Sequence, residues 1–130
     1  MGRSLLAVIA GFTATVALSV ACDAIVRMAA PGAFGPEGHA ASPGMMAFGV
    51  FYTLLAATAG GFVAGWIARR HPILHALVLG TLGAIATLVI ILAAPAAERT
   101  AGMFVSAMLV IPATVLGGWL RSRSPQPARS

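Results

Sequence analysis

Lysine is missing from this chain, and charge of either sign is scarce: eight arginines and three acids in 130 residues. A soluble domain carries roughly a quarter charged residues, so 8% leaves almost no polar surface to face water. Cys22 is the only cysteine, which excludes an intramolecular disulfide and any cysteine metal cluster. The net charge of +5 would point to nucleic acid in a soluble protein. Here the arginines sit almost entirely at the ends of apolar runs, which is a matter of topology and not a phosphate-binding stripe. No nucleic acid is expected as a partner.

What the chain does have is apolar length. Hydrophobic residues make up 59% of it, and its mean hydropathy is +0.95. A bilayer core about 30 Å thick needs roughly 20 apolar residues in a helix rising 1.5 Å per residue. Charge-free runs of that kind occur four times, at about 4–22, 45–68, 72–97 and 101–120. An arginine or aspartate at a helix centre would cost about 2.5–3.5 kcal/mol of insertion free energy, and none lies there. The sequence therefore predicts an all-α membrane protein: one four-helix transmembrane domain over residues 1–121 and a polar, disordered cytoplasmic tail over 122–130. Arg3, Arg69, Arg70, Arg121, Arg123 and Arg129 fall on one side of such a bundle, Arg27 and Arg99 on the other. That bias places both termini in the cytoplasm. The segment Leu18-Ser19-Val20-Ala21-Cys22 resembles a lipoprotein cleavage site, but Ser19 stands where such sites usually carry leucine. The segment is read as a retained first helix.

Small residues recur at helical spacing. Ala7, Gly11, Thr15 and Ser19 form one stripe on the first helix, and Ala57, Gly61 and Gly65 form another on the second. Ala76, Gly80 and Ala84 follow on the third, with Gly83 beside them. Such rows let helix backbones approach closely. Gly11, Gly60, Gly61, Gly65, Gly80, Gly83, Gly117 and Gly118 are the candidate packing positions. The turn Arg69-Arg70-His71-Pro72 joins the central hairpin, with Pro72 suited to the first position of a helix. Pro112 should kink the fourth helix. A faint internal repeat aligns Gly11 with Gly80, and Gly60-Gly61 with Gly117-Gly118, as two parallel hairpins.

Polar candidates are few. Asp23 and Arg27 are four apart and share a helix face, so they can pair at the rim of the membrane. His71 and His75 also share a face, but no third ligand lies at their depth. His75 is read as an interfacial or helix-to-helix hydrogen-bonding group. His39 is read as a solvated loop residue. No catalytic set, cofactor or metal site is expected, because Cys22 and His75 lie at opposite membrane faces.

Taken together, Asp23, Pro31, Gly60-Gly61-Phe62-Val63-Ala64, Ile67-Ala68, Pro72, His75-Ala76-Leu77, Leu79-Gly80 and Leu116-Gly117-Gly118 carry a family likeness. The chain resembles, from about Val20 to Arg121, a group of uncharacterised small four-helix integral membrane proteins of bacteria. Phe51-Tyr52-Thr53 departs from the Tyr-Arg pair common in that group, so no arginine enters the membrane here. The resemblance implies the fold and a multi-pass place in the bacterial cytoplasmic (inner) membrane, and it implies no activity. A structural, accessory or interaction component is the expected role, packed in the lipid bilayer as a homo-oligomer or with a membrane-protein partner. A small oligomeric transporter or channel subunit, lined by Thr13, Thr15, Thr81 and Thr87, is the alternative.

Overall fold

The computed structural model describes residues 2–36, 40–68, 71–96 and 99–124, apart from the side chain of Arg3. Glu37, His39, Arg69, Arg70, Glu98, Arg129 and the rest of the tail from 125 lie outside the described residues. Four helices make up the fold: α1 (Gly2–Ala29), α2 (Pro43–Ala68), α3 (Pro72–Ala93) and α4 (Ala101–Arg123). One 3₁₀ turn, Pro31–Ala33, follows α1. At 1.5 Å per residue the helices are about 33 to 42 Å long, and all four are apolar enough to cross a membrane.

Local chemistry sets the ends. Ala30, which precedes a proline, is held out of the helical region at φ −139° and ψ 70°. Ala94, before Pro95, is extended and ends α3 in the same way. Ser42 Oγ accepts the Met45 N–H at 3.2 Å and caps α2, with Pro43 as the first helical residue. Thr100 Oγ1 does the same for α4 through the Met103 N–H at 3.4 Å. Pro72 opens α3 as expected, and His71 before it turns the chain in the left-handed region at φ 52°. Arg99 donates to the Leu92 and Ala94 carbonyls, both at 3.2 Å, placing positive charge on the free carbonyls that end α3.

Three of these bounds differ from the charge-free runs. The helix α1 continues through Asp23 and Arg27, because a charge at the membrane edge does not interrupt backbone hydrogen bonding, whereas Pro31 does. The third helix stops at Ala93 instead of Ala97. The fourth runs on through Ser122 and Arg123, so those two residues belong to the helix and not to a disordered tail. It also passes unbroken through Pro112.

Three helices, α2, α3 and α4, pack mutually, and α1 lies against α2 with a smaller contact to α3. The close approaches define the register. Gly11 faces Gly60 and Ala64, Thr15 faces Gly60, and Asp23 meets Tyr52, so α1 and α2 are antiparallel. Gly80 faces Thr114 and Gly118 faces Ala76, so α3 and α4 are antiparallel too. Met46 faces Gly102, Thr58 faces Gly117, and Gly65 faces Arg121, so α2 and α4 run parallel. Two hairpins therefore stand side by side in parallel.

The aligned glycines exchange roles between them. Gly60 turns to its own hairpin partner α1 and Gly61 to α4, whereas Gly117 turns to α2 and Gly118 to its own partner α3. One residue is a rotation of about 100° on a helix, so the sequence alignment is a step away from the structural one.

The interior is made of small groups. Ala7, Ala56, Ala57, Ala64 and Ala76 are buried, while Leu5, Ile9, Phe12, Phe51, Ile90 and Leu92 point outward. In water this would be inside out; in lipid it needs no compensation. The centre is Thr114, 1% exposed. Its carbonyl abuts Gly61 and its hydroxyl abuts Gly80, which leaves no room for a methyl at either glycine. That hydroxyl is satisfied within its own helix by the Val110 and Ile111 carbonyls at 3.0 and 2.9 Å.

Seven of the eight candidate glycines lie in these seams. Gly83 does not: a methyl there would meet only Val110 Cγ2 at 3.5 Å, an ordinary contact. Gly61→Ala and Gly117→Ala, whose methyls would overlap backbone carbonyls, should each destabilise by about 1–3 kcal/mol or more. Gly83→Ala should be neutral or stabilising by about 0.5–1 kcal/mol. Thermal melts of helical circular dichroism in detergent separate the two classes. Equal loss in all three variants would contradict this packing.

Candidate functional site

The facing rows of α1 and α2 lead to the polar end of the molecule. On α1 the row is Ala7, Gly11, Thr15, Ser19 and Asp23. On α2 the row that meets it is Ala64, Gly60, Ala56 and Tyr52. With Gly11 seated on Gly60, the antiparallel register brings position 23 opposite position 52. There the Tyr52 hydroxyl donates a hydrogen bond to Asp23 Oδ1. The Tyr52 ring is braced edge-on by Phe48, with centroids 5.5 Å apart.

Arg27, one turn beyond Asp23, places its guanidinium 4.6 Å over the Phe34 ring. Phe34 is held there by a bridge to Ala40 and by the Ala41 N–H donating to the Ala33 carbonyl at 2.8 Å. Asp23 thus has a phenol partner on α2, and Arg27 an aromatic one in the loop.

Asp23, Tyr52 and Phe34 form one wall of a cleft of about 340 Å³, at the end of the bundle away from the termini. Thr53, Thr87, Thr100 and Ser106 add hydroxyls from α2, α3 and the start of α4. Met45, Met46 and Met103 complete the lining. The cleft is open at the surface and ends in the bundle. Past it the helices meet through Ala56, Ala57, Gly60, Gly61 and Thr114, all buried. Among the described residues, no buried side-chain nitrogen or oxygen lacks a partner.

His75 belongs to the opposite end. Its Nδ1 lies 3.1 Å from the His71 carbonyl; a carbonyl only accepts, so Nδ1 carries the proton. The histidine thus steadies the first turn of α3 and is not brought near Asp23. Among the described residues no three His, Cys, Asp or Glu side chains gather as a metal site.

Tyr52 is the residue that reading the sequence missed. The small row singled out on α2 was Ala57, Gly61 and Gly65, which faces α4. Displaced by one residue, the row 64, 60, 56 ends in Tyr52, and the α1 row ends in Asp23. Two small-residue rows each terminating in a hydrogen-bonding side chain were the available signal.

Compared with known proteins, the chain matches no family model, no curated protein and no solved structure.

The Tyr52–Asp23 bond joins α1 to α2 beyond the glycine seam. Hydrogen bonds between membrane helices are worth about 0.6 kcal/mol on average, with a maximum near 1.7. A charged acceptor places this one toward the upper end. Tyr52→Phe and Asp23→Ala should each destabilise by about 1 kcal/mol, and the double variant by little more than either. Denaturant melts of the four proteins give the coupling energy; full additivity would mean the pair does not act as a unit.

Proposed function

We propose that this chain is an accessory or interaction component of the bacterial cytoplasmic membrane, a compact helical unit that presents one ligand-facing cleft on the outer side. The observation that carries this reading is the division of the molecule. Among the described residues its core is closed by small residues and backbone contacts, and Asp23, Tyr52 and several hydroxyls line a cleft at one end. A channel needs a continuous polar path, and a proton-coupled carrier ordinarily keeps an ionisable group deep in the membrane. Asp23 sits instead at the mouth of the cleft. No chemical step is assigned to the protein. The four apolar helices support a place in a membrane, and the arginine bias supports the orientation.

An oligomeric transporter or channel subunit is the second reading, favoured by the single carboxylate at the head of the cleft. Its pore would have to form between copies. Thr13 and Thr81 are exposed on the bundle surface, but the Thr81 hydroxyl already donates to the Leu77 carbonyl at 2.9 Å. The glycine seams offer no surface to another copy, because they are filled from within the chain.

Two measurements test this. In a Cys22→Ser background, Ser42→Cys should react with a membrane-impermeant maleimide on intact spheroplasts, and Ser124→Cys only after permeabilisation. The reverse pattern would invert the orientation. Purified protein in liposomes should pass no monovalent cations or protons above the rate of empty vesicles. A flux that Asp23→Ala abolishes would move the transporter reading ahead.

A further inference from the structure

Three of the six methionines line the cleft, and nothing in the accessory reading uses them. Met45 and Met46 lie in the first turns of α2, and Met103 in the first turn of α4. Gly102 lets Met46 of α2 come close to α4. It is buried, and a methyl there would lie 2.8 Å from Met46 Cγ and 3.2 Å from Met46 Sδ. The missing side chain on α4 is thus the slot that receives the Met46 thioether, one residue before Met103 in the chain. All three side chains have three rotatable bonds and line one cleft with one carboxylate.

The donor set is selective. Thioethers are soft, neutral ligands that suit Cu(I) and its analogue Ag(I), whereas calcium and magnesium require six or more oxygens. The oxygen donors that line the cleft are hydroxyls and one carboxylate, short of the carboxylate-rich set that calcium takes. Asp23 Oδ1 already accepts from Tyr52, and the Thr87 hydroxyl donates to the Gly83 carbonyl at 2.8 Å.

We propose that the cleft binds a soft monovalent metal ion of the Cu(I)/Ag(I) class through the thioethers of Met45, Met46 and Met103, with Asp23 in the same lining. The inference rests on the cleft as the ligand-facing part of the molecule. It does not depend on whether the protein is an accessory component or a transporter subunit, so a flux result leaves it standing.

The test uses the full chain in detergent with Ag⁺ as a redox-inert probe, the metal retained after desalting being counted by mass spectrometry. One Ag⁺ per chain is expected, and Zn²⁺ should not be retained. Met46→Leu and Met103→Leu, close in volume to the native residues, should each weaken binding at least tenfold in competition with a chelator. Met108→Leu and Cys22→Ser should not. A measurement on the wild type covers the case in which a variant fails to fold. Bound Ag⁺ should slow peroxide oxidation of Met45, Met46 and Met103 to sulfoxides. It should leave unchanged the rates at Met28 and Met108, which are 84% and 78% exposed. No retained metal, retention unchanged by both Met46→Leu and Met103→Leu, loss on Cys22→Ser alone, or oxidation rates indifferent to Ag⁺ would each overturn the proposal and leave the methionines as packing residues.

Discussion

Everything in this structure depends on helix backbones touching. Within a bilayer the lipid tails are as apolar as any leucine, so no hydrophobic drive brings one helix to another. Association comes instead from dispersion, which falls away within a fraction of an ångström of optimal contact. The chain meets that condition by removing side chains where helices cross. Thr15 fills the place over Gly60, and Thr114 fills the places over Gly61 and Gly80 at once. Because each void is shaped by one partner, the contacts set register as well as proximity.

Register is then what assembles the polar end. The seam of Gly11 with Gly60 and Ala64 aligns α1 and α2 so that Tyr52 arrives at Asp23. The parallel seam of α2 with α4 places Met46 at Gly102, next to Met103. Neither pair is adjacent in the chain, and neither could form with α1 or α4 displaced by one turn. Packing in the middle of the membrane and chemistry at its edge are therefore one problem. Threonine hydroxyls within the bundle are kept out of that chemistry by bonding back to their own helices, as at Thr15, Thr58 and Thr114.

Much of this was legible from residue spacing. Charge-free length revealed four helices, and Pro72 and the small rows marked where they turn and touch. Helix ends were less legible, because hydropathy reports where the membrane stops and not where the helix does. Asp23 and Arg27 lie past the apolar run but before Pro31, and the helix follows the proline. Gly83 shows the other limit. It lies beside the row of Gly80, about 60° round the helix from it, and meets Val110 at an ordinary distance. A row of small residues states that some helix can approach and does not name which.

The sequence by itself determined that this chain is a bundle of four membrane-length helices, because the solvent it requires is written in composition and run length, which are properties of one segment at a time. Only the tertiary structure decided which glycine meets which helix, that Asp23 is met by Tyr52, and that three methionines share one cleft. Those facts depend on pairs of positions on different helices. A shift of one residue turns a side chain by about 100°, so periodicity alone leaves the facing partner undetermined until the helices are in contact.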